Sequence, residues 1–202
     1  MSTPAPARPE LWFLDTSSLM TLAVDEALRE AVKGELSWHK RVLLDVVVEE
    51  LERLAGAGRP DEKALAAAAL GQLDWLGAPV PTDNLGIDPL RVVAVQDILR
   101  SGRPLKHPGE HWAESVIMTM AEGLTLAAPH LLSEDYNARI ESVRHNCAPY
   151  SVHKLLARMV QGGRLAADDA ESFADAVMAA GRGNDYTAAE FLSGNLGRVG
   201  KP

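Results

Sequence analysis

Four acidic residues stand where this 202-residue chain can assemble chemistry: Asp15, Glu50, Glu114 and Asp135. Asp15 closes the apolar run at 11–14. Asp135 closes a broken apolar run at 124–132 that delivers Ser133, Glu134 and Asp135. Glu50 opens a helix after a second apolar stretch, and Glu114 lies in the first turns of another. Carboxylates gathered at one point repel one another and stay ionised together only around a cation. Hard oxygen donors select Mg²⁺ or Mn²⁺. Such an ion holds a phosphate, activates water and stabilises a leaving oxygen, which is the chemistry of phosphodiester hydrolysis.

The elements needed to bring these acids together are readable in outline. A buried strand is expected over 11–14, followed by one helix, capped by Ser17 or Ser18, running to about Lys33. A second strand begins near Arg41 and passes into a helix with Val47, Leu51 and Leu54 on one face; Gly56 and Gly58 stop it. Asp61 caps a long Ala-rich helix to about Leu76, and a short strand is expected around Val80. Helices over 90–99 and 110–123 follow, then a strand ending at Leu132 and a helix over 137–145. Alternation of strand and helix predicts an α/β fold: a parallel central sheet flanked by helices in three layers. In such a sheet the carboxyl ends of the strands share one edge, so Asp15 and Asp135 meet if their strands are neighbours.

Residues 1–10 read as a loose tail and 11–150 as the α/β domain. Residues 151–202 read as a helical C-terminal extension packed on or beside the core. Ser151 caps its first helix, Gly162 and Gly163 end it, a second starts near Asp168, and a weak last one starts at Thr187. Leu155, Leu156, Met159 and Val160 offer either a packing layer over the core, the favoured reading, or a homodimer or partner surface.

Four segments resemble the motifs of PIN-domain ribonucleases. Leu14-Asp15-Thr16-Ser17-Ser18-Leu19 is similar to the opening of that domain, and Val46-Val47-Val48-Glu49-Glu50-Leu51 to its second motif. There the acid directly precedes Leu, which favours Glu50 over Glu49. Gly109-Glu110-His111-Trp112-Ala113-Glu114-Ser115 is similar to the third motif, and Leu131-Leu132-Ser133-Glu134-Asp135 to the fourth. The resemblance covers 11–146. It implies metal-dependent RNA endonuclease activity, with Asp15, Glu114 and Asp135 holding Mg²⁺ or Mn²⁺ and Glu50 a ligand or a partner to bound water. Many compact members are VapC-type toxins held by an antitoxin partner. This chain departs from them in its C-terminal extension and in offering two acids, Glu110 and Glu114, one helical turn apart. Glu114 is assigned as the ligand and Glu110 as auxiliary.

Plainer readings stand beside these. Asp15 and Asp135 also suit helix caps, Glu50 a solvated helix start, Glu114 a first-turn dipole partner and Ser133 a turn or an orienting group. The basic loop with Arg100, Arg103 and Lys106 suits either solvation or steering of phosphate by Arg103 and Lys106. His107-Pro108-Gly109-Glu110-His111 matches a His-x-x-Glu-His zinc pattern, but Pro108 and Gly109 oppose the helix which that chemistry needs. A phosphatase-type loop would need a second Asp where Ser17 stands, and no phosphate-binding Gly-rich loop occurs. The net charge of −8 opposes a simple nucleic-acid coat, not a metal-dependent nuclease. The 47% hydrophobic content supports a buried core. Cys147, the sole cysteine, excludes an internal disulfide and is expected to be buried. No apolar run is long enough to span a membrane, and a cytoplasmic setting is expected.

Overall fold

A computed structural model describes residues 9–182. The expected helix from Thr187 and most of the expected N-terminal tail lie outside the described residues. The elements run β1 (Glu10–Leu14), α1 (Thr16–Leu22), α2 (Glu26–Leu36), β2 (Lys40–Val42), α3 (Asp45–Ala57) and α4 (Pro60–Leu70). They continue with α5 (Pro89–Leu99), α6 (Trp112–Gly123), β3 (Ala128–Leu132), α7 (Tyr136–Ser142), β4 (Ala148–Tyr150), α8 (Val152–Gln161) and α9 (Ala167–Ala179).

The four strands form one parallel sheet in the order β2-β1-β3-β4, flanked by helices in a three-layer α/β/α arrangement. Central parallel strands are covered on both faces, which is why β1 is nearly all apolar. Trp12, Phe13 and Leu14 are fully buried, as are Leu131 and Leu132 of β3. The strand order reverses direction between β1 and β3, and their register aligns Leu14 with Leu132. The crevice beyond this switch point is where open α/β sheets hold ligands. Asp15 and Ser133 are the residues immediately beyond it, and the Asp15 amide donates to the Leu132 carbonyl at 3.2 Å.

Several local expectations are corrected. The single helix expected to Lys33 is two, because Asp25 accepts from the Leu28 amide at 2.8 Å and starts α2 afresh. Its first half is capped by Asp15, not by Ser17 or Ser18. The second strand stops at Val42, while Val47, Leu51 and Leu54 lie in α3 as expected. The expected strand around Val80 reduces to one bridge with Leu44. The Ala-rich helix ends at Leu70, and Arg59 rather than Asp61 occupies its cap position. A strand that the pattern did not suggest, β4, adds an edge beside β3.

The first extension helix is part of the core. α8 packs against α1 and α2, and Leu155, Leu156 and Met159 are buried. These three residues are therefore a packing layer and do not present a partner surface. Cys147 is buried, and burial pushes its thiol up to about 12. No helix among the described residues is long and apolar enough to cross a membrane.

Candidate metal centre at the strand ends

All four predicted acids face one cavity of about 240 Å³ at the carboxyl edge of the sheet. The chain reaches it from four places: the β1–α1 turn, the second turn of α3, the first turn of α6 and the β3–α7 turn. Glu110 and His107 also line it. This is the convergence which the strand-end argument requires.

Asp15 is 2% exposed, and every hydrogen bond it accepts comes from a neighbour that fixes it. One oxygen receives the Ser18 amide at 2.9 Å and the Ser17 hydroxyl at 2.9 Å. The other receives the Ser133 hydroxyl at 2.6 Å. Asp15 thus caps α1 and faces the cavity at the same time. Its burial, with the charge of Glu114 adding to it, pushes its carboxyl up to about 7. Ser133 is fully buried, and its hydroxyl also accepts from the Asp135 amide at 3.0 Å, so it ties together the turns after β1 and β3. Arg139, buried in α7, holds the Ser133 carbonyl from behind at 2.7 Å.

Asp135 caps α7 through one oxygen, accepting from the Ala138 amide at 2.8 Å. Glu50 accepts from the Thr16 hydroxyl at 2.7 Å, and burial followed by repulsion from Glu114 raises its pKa. Glu114 lies 3.5 Å from Nδ1 of His111, and that contact raises the imidazole's pKa.

One ligand atom from each of His111, Glu114 and Asp135 falls within a 4.8 Å span, a separation that a single ion can bridge. Asp15 and Glu50 complete the acidic wall around this group. The donors fit a divalent cation: the carboxylates match Mg²⁺ or Mn²⁺, and the imidazole tilts the choice toward Mn²⁺ or a softer ion. His111 was weighed as a ligand only in a zinc pattern with His107 and was not placed with the four acids. Its signal was the His-x-x-Glu spacing with Glu114, which sets both at the start of one helix.

Two expectations about the third motif change. α6 begins at Trp112, so Glu110 is in the preceding turn and does not share a helical face with Glu114. It still lines the cavity, where the Lys106 amide donates to it at 2.8 Å and lowers its pKa. For the same reason His107 and His111 do not form a zinc-binding helix. His111 takes a left-handed conformation, φ 57°, immediately before α6. Such a conformation costs a non-glycine residue about 1 kcal/mol and turns its ring off the helical path. Arg103 and Lys106 each lie 3.9 Å from Glu110, and among the described residues neither forms part of the cavity wall.

One wall residue had no sequence signal. Arg182, following α9, reaches the cavity and donates to the Ser17 carbonyl at 2.7 Å and to the Thr21 hydroxyl at 3.4 Å.

Compared with protein-family models, with curated proteins and with solved structures, the chain matches none.

Proposed function

We propose that this chain is a divalent-metal-dependent endoribonuclease of the PIN type, hydrolysing RNA phosphodiester bonds at the cavity beyond β1 and β3. The observation that carries the reading is the convergence of Asp15, Glu50, Glu114 and Asp135 on one cavity from four separate segments. Helix caps and solvated helix starts explain each acid singly. They do not explain why the acids meet, nor why a buried Asp15 is set against Glu114 at an electrostatic cost.

Glu114, Asp135 and His111 would hold the ion, with Asp15 beside them. The ion, when bound, supplies Lewis acidity toward water and toward the charge that builds on the phosphate. The chain's own residues do the positioning. Ser17, Ser18 and Ser133 fix the Asp15 carboxylate. Thr16 orients Glu50 so that its carboxylate can accept a hydrogen bond from a water within the cavity. Asp135 keeps one oxygen for the cavity after capping α7. Preorganisation of this kind means that little reorganisation is needed when the phosphate arrives.

Asp15→Asn tests the reading. Asparagine keeps the cap geometry and removes the charge. Mn²⁺-dependent cleavage of a mixed-sequence single-stranded RNA should fall by about a thousandfold or more, roughly 4 kcal/mol of barrier. Full activity in this variant refutes the assignment. A wild-type chain that takes up Mn²⁺ in a calorimetric titration yet turns over no RNA is a binding module instead.

A further inference from the structure

Resting on the nuclease reading, we infer that Arg182 is the group that receives the phosphate of the substrate, so that the residue just past α9 completes the active site. The inference begins with a charge imbalance. Asp15, Glu50, Glu62, Glu110, Glu114 and Asp135 all line the cavity. A single divalent ion leaves such a wall negative, and RNA is a polyanion whose binding depends on cationic contacts to phosphate. Among the described residues, Arg182 is the only arginine or lysine in that wall.

The way Arg182 is held fits an anion clamp better than a strut. Its guanidinium is anchored by a carbonyl and a hydroxyl of α1, those of Ser17 and Thr21. Both are neutral acceptors. Among the described residues no carboxylate comes within ion-pair distance of it, although the cavity is rich in them. By contrast, Arg158 of α8 sits directly on Glu10 at 2.9 Å, and Arg164 on Glu35 at 2.7 Å. Arg139 also rests on a backbone carbonyl, that of Ser133, but it is not part of the cavity wall. Arg182 instead keeps its charge near Asp15 and Glu134 without closing on either. An arginine carries five N–H donors in a planar fork that suits phosphate oxygens, and among the described residues the contacts to Ser17 and Thr21 leave donors to spare.

The anchor also sets position. Ser17 holds Asp15 through its hydroxyl and Arg182 through its carbonyl. The proposed metal wall and the proposed phosphate clamp are thereby referred to one residue, which fixes their separation. This gives the extension a role beyond covering the core.

The test uses the full chain with Arg182→Ala and Arg182→Lys. The readouts are calorimetric Mn²⁺ binding, urea stability, affinity for a fluorescein-labelled twelve-nucleotide oligouridine in Ca²⁺, and single-turnover cleavage of the same oligonucleotide in Mn²⁺. Arg182→Ala should bind the oligonucleotide about tenfold or more weakly, and its salt dependence should drop by about one phosphate contact. Mn²⁺ affinity should be retained or tightened, because a neighbouring positive charge is gone. Arg182→Lys should recover part of the affinity, since it restores charge but not the fork. Equal affinity and cleavage in wild type and Arg182→Ala, with only urea stability lowered, overturns the clamp and leaves a tether. Faster cleavage in Arg182→Ala also overturns it, because the guanidinium would then be blocking the site. If the wild-type chain binds Mn²⁺ but neither binds nor cuts the oligonucleotide, the nuclease reading itself fails and takes this inference with it.

Discussion

The two ends of β1 treat a carboxylate in opposite ways. Glu10, at its start, is held by donors of the protein's own. Arg158 lies at 2.9 Å and His39 at 3.3 Å, with the Trp12 indole N–H donating at 3.1 Å. Burial pulls its pKa up, but the hydrogen bonds from Arg158 and Trp12 outweigh it and leave the carboxyl below its ordinary value. Asp15, immediately past the other end, is surrounded by hydroxyls, an amide and other acids, and is pushed up to about 7. The protein neutralises the first acid itself, whereas among the described residues the second has no ion-pair partner. Glu10 fastens α8 to the sheet, whereas Asp15 stands where an outside cation would repay the cost of its burial. An acid that folding has already satisfied is structural; one that folding leaves in deficit is a candidate for function.

The sharpest way to break this contrast is to supply the cation. Mn²⁺ at a hundred times its dissociation constant should stabilise the wild-type chain by about 2.7 kcal/mol against urea, since it binds the folded state alone. EDTA should reverse the gain. Asp135→Asn and Glu114→Gln should lose most of it, whereas Glu10→Gln, at the satisfied end, should keep it although its starting stability is lower. An equal gain in all four proteins would mean that the ion binds elsewhere.

A somewhat smaller effect belongs to the satisfied end. His130 of β3 is buried there, its ring tilted and 4.6 Å from the Trp12 ring; among the described residues neither ring nitrogen has a hydrogen-bond partner, and Nε2 lies 3.8 Å from Glu10. Glu10, Arg158, His39 and Lys154 all face it. Burial is the largest influence and lowers its pKa from 6.5 to about 4. The folded state therefore resists a proton that the unfolded chain accepts. Stability is intact above pH 6.5 and is lost as pH falls toward 4. Between pH 7 and pH 5 the loss is about 2 kcal/mol by that linkage. Urea unfolding of wild type and His130→Leu at both pH values isolates it. The variant should lose about 2 kcal/mol less across the interval, and parallel losses would show that His130 is not the source.

Only the Asp15 side of this contrast was legible in the residues alone, since Glu10 was read as part of a loose tail, and the misses have physical causes. Asp15 and Asp135 could be placed at one edge because each ends an apolar run, and parallel strands put their ends together. What the pattern does not carry is the direction of a side chain at an irregular backbone position. His111 joins the ligand group only because it is left-handed at the start of α6. β4 was hidden because Pro149 sits in the middle of three residues, and proline argues against a strand. At an edge, paired only with β3, a missing N–H is tolerated. The break between α1 and α2 was hidden because the apolar face continues across Asp25, so periodicity outweighed a single cap. Arg182 was invisible for a different reason. Its role depends on where α9 ends in space, and no local spacing reports that.

The smallest effect concerns the loop before α6, where the sequence suggested Arg103 and Lys106 as phosphate guides. Their side chains are 50% and 72% exposed, and each is 3.9 Å from Glu110. Exposed pairs at such distances contribute at most about 1 kcal/mol, and salt weakens them further. On the nuclease reading their effect on RNA would be indirect, by offsetting the charge of Glu110 on the cavity wall. Arg103→Glu with Lys106→Glu removes that offset and adds repulsion. Affinity for the labelled oligouridine in Ca²⁺ should fall by about two- to fivefold at low salt, and the difference should shrink as salt is raised. That is less than the loss expected from Arg182→Ala, because a half-buried guanidinium anchored on α1 is screened less than two solvated side chains. Unchanged affinity at low salt removes this loop from the binding surface. A loss larger than that of Arg182→Ala would instead place the main phosphate contact on the loop and invert the ranking of the two basic regions.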